Sequence, residues 1–242
     1  MDTIRIESLS KKYKDVTAVD SLSLTVREGE LLSLLGVNGA GKTTTIKMLS
    51  CLTKPTAGDA FLHGKSICTE ADTVKKMIAV SPQETAIAPG LTAKENLALI
   101  AGAYGFSKEK ARAKTEEMCA LFDLGSIMDK KAGKLSGGWQ RRLSIAMALI
   151  SEPKILFLDE PTLGLDVLAR SDLWDTIRAL KGRVTIVLTT HYMEEAESLS
   201  DRVAIMKDGR LLIAGTPDEI KTAAGTDKFE TAFIRTVKEE QK

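Results

Sequence analysis

The sequence predicts an α/β protein with a mostly parallel central sheet, an N-terminal antiparallel β subdomain and a helical insert. Three observations predict this fold. Short apolar runs alternate with helical patterns along most of the chain, which is typical of a parallel sheet covered by helices. Apolar and polar residues alternate within Met1–Val26, and the middle of the chain has helical patterning without a convincing strand.

The strands of the central sheet are predicted from continuous apolar runs, because strands buried on both faces lose the alternation of half-exposed ones. In Met1–Val26 the alternation favours antiparallel strands with one solvated face. Asp208-Gly209 is a good hairpin turn between residues 203–207 and 210–214. The predicted central strands are Leu31–Leu35, Ile78–Val80, Ile155–Asp159, Thr185–Thr189 and Val203–Met206.

Helices are predicted mainly in the middle and at the end of the chain. Thr92–Leu124 has helical patterning, and Ser107 is a good helix start. We predict a helical insert over approximately residues 88–150 and a short amphipathic C-terminal helix over approximately residues 228–240. Residues 1–242 are predicted to form a single domain.

Composition excludes several classes of protein. The 242 residues carry 34 Lys and Arg against 33 Asp and Glu, a net charge of +1, so no basic excess points to a nucleic-acid partner. The three scattered cysteines suit reduced thiols rather than a disulfide framework or a zinc site. No signal peptide or apolar run long enough to cross a bilayer is visible, so any membrane role would need spans from another chain.

A glycine-rich loop predicts a phosphate site and, with it, a P-loop NTPase core. Gly36–Thr43 fits G-x-x-x-x-G-K-[ST] and lies between a predicted strand and a predicted helix. Backbone N–H groups and the helix N-terminus would bind the phosphates, Lys42 would neutralise them, and Thr43 would ligate Mg²⁺. An ordinary glycine-rich turn with a chance lysine is the alternative. The predicted loop ligands are Gly36, Asn38, Gly39, Ala40, Gly41, Lys42, Thr43 and Thr44.

Two adjacent carboxylates end a second apolar strand. Asp159 falls at the carboxyl end of Ile155–Asp159, where ligands of open α/β sheets bind, and is predicted to hold Mg²⁺. Glu160 is predicted to be the general base for an attacking water. The chain has no Asn-Lys-x-Asp guanine reader, which disfavours a GTPase. At this point a small-molecule kinase remains open.

Leu135-Ser136-Gly137-Gly138, just before a helical run, resembles the signature of the ATP-binding cassette (ABC) family. The resemblance implies that Ser136, Gly137 and Gly138 bind the γ-phosphate of an ATP held by a second cassette. It therefore implies a sandwich of two cassettes around two ATP molecules, of which an ATP-dependent homodimer is the simpler form.

The other family elements follow in order along nearly the whole chain. By resemblance, Tyr13 stacks on adenine, Gln83 contacts Mg²⁺ and the attacking water, Asp166 crosses between the two sites, and His191 is the switch histidine. With Lys42 and Glu160, His191 completes the expected catalytic set. Trp139, Leu163 and Val167 depart from the common pattern, but none removes a phosphate donor, metal ligand or base, so an active ATPase is expected.

The resemblance implies an ATP-hydrolysing subunit that energises a membrane transporter. Membrane permease subunits on separate chains would hold it at the cytoplasmic face of the cell membrane. Leu91–Leu97 and Gly215–Glu219 resemble drug, antibiotic, sodium and polysaccharide exporters, which favours export. The alternatives are a soluble ABC ATPase of translation or DNA repair and a nucleotide binder without turnover.

Overall fold

The computed structural model describes residues 2–239, which form ten β-strands and nine α-helices. The strands are β1 (Asp2–Tyr13), β2 (Val16–Arg27), β3 (Leu31–Leu35), β4 (Ala57–Leu62), β5 (Lys65–Ser66), β6 (Ile78–Ser81), β7 (Ile155–Asp159), β8 (Thr185–Thr190), β9 (Arg202–Lys207) and β10 (Arg210–Gly215). The helices are α1 (Lys42–Leu49), α2 (Ala71–Lys75), α3 (Ala93–Ala103), α4 (Lys108–Leu121), α5 (Gly137–Leu149), α6 (Val167–Arg178), α7 (Met193–Leu199), α8 (Pro217–Ala223) and α9 (Phe229–Glu239).

The central sheet has the strand order β10-β9-β3-β8-β7-β6. The five strands from β9 to β6 run parallel to one another. Only the edge strand β10 pairs antiparallel, through the predicted Asp208-Gly209 hairpin. All residues of β3, β7 and β8 are buried, as continuous apolar strands between two helical layers should be. The predicted mixed, mostly parallel sheet is confirmed, and each predicted central strand agrees within one residue at either end.

The N-terminal antiparallel sheet is also confirmed, with the order β2-β1-β4-β5. Its strands β4 and β5 were missed from the sequence. Gly58 and Asp59 belong to residue types that are depleted in strands, and β4 forms because it pairs with β1 along most of its length. The buried face of this sheet packs on β3, β7 and α1 through a shared apolar cluster that includes Ile4, Leu22 and Phe157.

Helices α3, α4 and α5 lie within the predicted insert of residues 88–150 and share a second apolar core with the other face of the central sheet. Thr92 caps α3 through a capping box with Glu95, and Ser107 caps α4 as expected. Phe122 and Leu143 anchor this core with almost no exposure. Because α5 begins at the signature segment and contacts β6, it connects that segment to the central sheet. The domain and insert boundaries remain predictions.

The C-terminal helix α9 closes the fold against α7, α8 and β10. Its apolar face, with Phe229, Ala232 and Phe233, is buried, which agrees with the predicted amphipathic pattern. Residue 240 of the predicted helix, like Met1 of the predicted N-terminal strands, lies outside the described residues. Within residues 2–239, no helix combines the length and apolarity needed to span a bilayer.

Candidate functional site

The candidate site is an open cavity of about 780 Å³ at the carboxyl ends of the central strands. The phosphate loop follows β3, Glu160 follows β7 and His191 follows β8. These three strands are neighbours in the sheet, so residues from three distant segments meet at one edge. The cavity is lined by Val16, Thr17, Ala18, Asn38, Gly39, Ala40, Gly41, Lys42, Thr43, Thr44, Gln83, Glu160, Leu163, His191 and Asp208.

Two glycines of the phosphate loop are required by close backbone packing. A Cβ on Gly36 would lie 2.4 Å from the carbonyl oxygen of Met206, and one on Gly41 would lie 2.4 Å from that of Ala18. Gly41 also has a φ of 96° and precedes the first residue of α1, a conformation that favours glycine. The loop is therefore held between β9 and β2 with its N–H groups and the start of α1 beside the cavity.

Lys42 lies over the loop with only 6% of its surface exposed. Its Nζ donates to the carbonyl oxygens of Gly36 at 2.7 Å and Val37 at 3.2 Å. Burial lowers the pKa of the Lys42 ammonium, and the nearby Glu160 carboxylate partly offsets that effect. An anion in the cavity would supply the countercharge that this buried ammonium favours.

Asp159 and Glu160, although adjacent, point to different partners. Asp159 Oδ1 accepts hydrogen bonds from the hydroxyls of Thr43 at 3.0 Å and Thr189 at 2.5 Å. Glu160 has a φ of 48°, and its backbone N–H donates to Thr189. A left-handed φ in a non-glycine residue costs about 1–3 kcal/mol and is often found at functional sites. This turn separates the two carboxylates.

Glu160 connects the lysine to the switch histidine. Its Oε1 lies 3.5 Å from Lys42 Nζ, and its Oε2 lies 2.6 Å from His191 Nδ1. The Glu160 side chain is 9% exposed and that of His191 is 31% exposed. The three residues of the predicted catalytic set thus form one continuous chain at the cavity, an arrangement suited to orienting a water beside a bound phosphate.

Gln83 lines the cavity from the loop after β6, and its position depends on a residue that sequence reasoning missed. The guanidinium of Arg141, on α5, donates to the carbonyl oxygen of Pro82 at 2.6 Å and to that of Gln83. Arg141 is 4% exposed, and burial lowers its pKa. An arginine three residues after the signature segment was the only available signal. It ties the Gln83 loop to the helix that begins at Gly137.

The signature segment does not line this cavity. Ser136, Gly137 and Gly138 form the start of α5 and do not line the cavity. Ser136 occupies the N-cap position, but its hydroxyl caps none of the N–H groups described for α5. Asp166 is also outside the cavity lining, and its Oδ1 accepts from Ala169 N–H at 2.9 Å to cap α6.

Tyr13 also lies outside the cavity lining. It is 45% exposed, with the Lys11 ammonium 5.0 Å from its ring centre. Val16, Thr17 and Ala18 of β2 line the cavity instead. These residues, with Leu163, Asp208 and the Asp159 partner Thr189, had no predicted contact with the site. For Asp208 the only signal was its place in a hairpin turn.

Comparison with known proteins identifies the family. The model of the ABC transporter family matches residues 19–163. The daunorubicin/doxorubicin resistance ATP-binding protein of Streptomyces peucetius is 41% identical over 93% of this chain and 68% of its own length. The Nod factor export ATP-binding protein I of a Burkholderia pseudomallei strain is 42% identical over 94% and 75%.

A solved structure supports the same assignment at the level of the fold. It is a dimeric post-hydrolysis state of an ATP-binding cassette bound to ADP and Pi, 28% identical, with a TM-score of 0.78 over 88% of this chain and 98% of its own. The family match covers the phosphate loop, Gln83, the signature segment and both carboxylates. The chain therefore belongs to the ABC transporter family, as an ATP-binding and ATP-hydrolysing subunit that energises a membrane transporter.

Proposed function

We propose that Lys42, Glu160 and His191 carry out ATP hydrolysis in this cavity. The observation that carries the proposal is the contact chain from Lys42 Nζ through Glu160 to His191 Nδ1. Lys42 would neutralise the β- and γ-phosphates, and the loop N–H groups would bind their oxygens. Glu160 would accept a proton from the attacking water, and His191 would orient Glu160 and contact the γ-phosphate. Gln83, which also lines the cavity, would position the same water.

The residues beside Asp159 fit a magnesium ion. Thr43 and Asp159 offer oxygen ligands, which Mg²⁺ prefers, and their side chains already lie within 3.0 Å of each other. Mg²⁺ bound there with ATP would neutralise charge on the phosphates. The side-chain oxygen of Gln83, another lining residue, would be a third candidate ligand.

We further propose that the working unit is a homodimer that forms around two ATP molecules. Ser136, Gly137 and Gly138 lie outside the cavity of their own chain, yet they present a helix start of the kind that binds phosphate. Two identical copies related by a two-fold axis would each complete the other's site. The dimeric form of the solved relative supports this arrangement.

The partner that receives the work is proposed to be a membrane-spanning permease on a separate chain, with export as the direction. The printed names of the Nod-factor export and drug-resistance relatives support export. The proposed location of this subunit is the cytoplasmic face of the membrane. Beside the Gln83 loop, a shallow cavity lined by Ala86, Ile100 and Tyr104 offers a docking surface. Leu99, on α3 next to the lining residue Ile100, and Tyr104, which directly follows α3, are each 53% exposed.

The catalytic assignment is tested with Glu160→Gln, which removes the base and leaves the phosphate contacts in place. We expect the ATPase rate to fall about 10²–10⁴-fold with little change in ATP affinity. In size-exclusion chromatography this variant should be a monomer alone and a dimer with ATP. Glu194→Gln, an exposed glutamate on α7, is the matched control and should behave as wild type. Normal turnover by Glu160→Gln would contradict the assignment.

The docking surface is tested with Leu99→Asp in the cells that make the protein. Because an exposed leucine is not part of the core, ATP binding by the purified chain should be unchanged, whereas the share of the chain found with the membrane fraction should drop severalfold. Ile234→Asp, which alters an exposed apolar residue of α9, is the control. Equal membrane association of both variants would rule out this surface.

A further inference from the structure

A buried carboxyl group with no predicted role lies on α7, the helix that follows His191. Glu195, on α7, is 0% exposed. Its Oε1 accepts a hydrogen bond from the indole Nε1–H of Trp174, on α6, at 3.1 Å. Its Oε2 is buried and has no hydrogen-bond partner among residues 2–239, and the same is true of Thr162 Oγ1. Two buried polar atoms without partners in one region call for a physical explanation.

The residues near Glu195 belong to the segments that carry Glu160 and His191. Thr162 is two residues after Glu160, and Thr190 directly precedes His191. Burial raises the pKa of Glu195, while the hydroxyls of Thr190 and Thr162 and the Trp174 indole lower it. Both hydroxyls are thus near the carboxyl group, although neither makes an ordinary hydrogen bond to it. The loop after β7 and the carboxyl end of β8 therefore meet at Glu195.

The charged groups that act on Glu195 favour no single ion pair. The charge of Glu160 raises the pKa of Glu195 further. The charge of Glu195 in turn raises the pKa of Arg141, on α5. The Arg141 guanidinium is already bound to the carbonyl oxygens of Pro82 and Gln83. A protonated carboxyl group at this position can accept from Trp174 through one oxygen and donate through the other. A small shift of the Thr162 loop would give that second bond a partner.

We propose that Glu195 is a positioning residue for ATP hydrolysis, which joins the loops of Glu160 and His191 to helix α6 through Trp174. The proposal rests on the catalytic roles assigned above. The 2.6 Å contact between Glu160 and His191 requires both loops to be held in register, and Glu195 lies where they can be held together. Asp166, which by family resemblance crosses between the two sites, is the N-cap of helix α6, so the same link connects Asp166 with the switch histidine.

Steady-state kinetics of two variants test the positioning role. Glu195→Gln keeps an acceptor for Trp174 and a donor for Thr162, so we expect its kcat to stay within about threefold of wild type. Glu195→Ala removes both, and because small misplacements of catalytic groups are costly, its kcat should fall about tenfold or more, with ATP affinity unchanged. A wild-type kcat for Glu195→Ala would overturn the proposal, as would equal loss in both variants. Glu194→Ala is the control.

A second measurement covers the case in which Glu195→Ala does not fold. This measurement does not depend on turnover. In a Trp139→Phe background, Trp174 is the only tryptophan. We expect ATP, but not ADP, to change its emission, because only ATP offers a γ-phosphate to His191. Glu195→Gln should keep that change, and Trp174→Phe in the wild-type background should lower kcat severalfold. An emission insensitive to ATP in a chain that binds ATP would overturn the proposal.

The two assays also separate this inference from the proposed function. A wild-type chain that binds ATP without hydrolysing it would contradict the catalytic assignment, and the Trp174 emission would then decide the role of Glu195 alone. An active wild type together with a fully active Glu195→Ala would contradict only the role of Glu195.

Discussion

The molecule has two helix N-termini suited to binding phosphate, and they lie in different surroundings. Helix α1 begins at Lys42, directly after Gly41, and its first residues line the nucleotide cavity. Helix α5 begins at Gly137, after Ser136, and lies outside that cavity. Lys42, Glu160 and His191 line the cavity beside the first, whereas Ser136, Gly137 and Gly138 are not among the lining residues of that cavity. The difference supports the proposal that each chain carries two unlike halves of a site rather than one whole site.

The largest expected effects come from inactivating the phosphate loop and the signature segment in two separate variants. Lys42→Ala should weaken ATP binding by the monomer and abolish hydrolysis, because the buried ammonium belongs to the cavity. Ser136→Arg should leave ATP binding by the monomer unchanged and lower the ATPase rate about 100-fold or more, a loss comparable to removing a transition-state donor. Calorimetric titration with ATP and a phosphate-release assay measure the two effects.

The outcome of that contrast is decisive for the division into halves. A loss of ATP affinity in Ser136→Arg would mean that the signature segment already contacts the nucleotide within one chain. Ser107→Arg, at the exposed start of α4, controls for the added charge and volume.

A smaller effect is expected for Arg141, which connects the Gln83 loop to helix α5. Arg141→Met keeps much of the buried volume but leaves the carbonyl oxygens of Pro82 and Gln83 without their donor. Pro82 is half-buried and Gln83 is exposed, so water can replace part of the lost bonding. A lost hydrogen bond still costs about 1 kcal/mol, and the urea midpoint should fall slightly. The ATPase rate should also fall, about tenfold, because Gln83 loses its support. An unchanged rate at lower stability would show that Arg141 is structural only.

Much of the cavity could be predicted from sequence because its parts are local. Gly36–Thr43 and Asp159–Glu160 each lie directly after an apolar strand, and parallel strands place their carboxyl ends at one edge. Such arguments need only the strand and the residues that follow it. His191, which follows β8, was assigned by its resemblance to the switch histidine of the ABC family.

The missed contacts depend on pairs far apart in the chain. Arg141 meets Gln83 across 58 residues and Trp174 meets Glu195 across 21, and no periodicity within either segment shows such a contact. Strand β4 was missed for a related reason, since its pairing with β1 outweighs the low β propensity of Gly58 and Asp59. Sequence located the chemical groups, while tertiary packing determined which residues hold them in place.

The central claim, that two copies share each site, is tested most directly by mixing two inactive variants. Glu160→Gln lacks the base and Ser136→Arg lacks the signature, so each homodimer should be almost inactive. When they are mixed before ATP is added, half of the dimers are mixed and one of the two sites in each is intact. We predict recovery of about one quarter of the wild-type ATPase rate. A mixture that binds ATP and stays as inactive as its components would contradict the shared site.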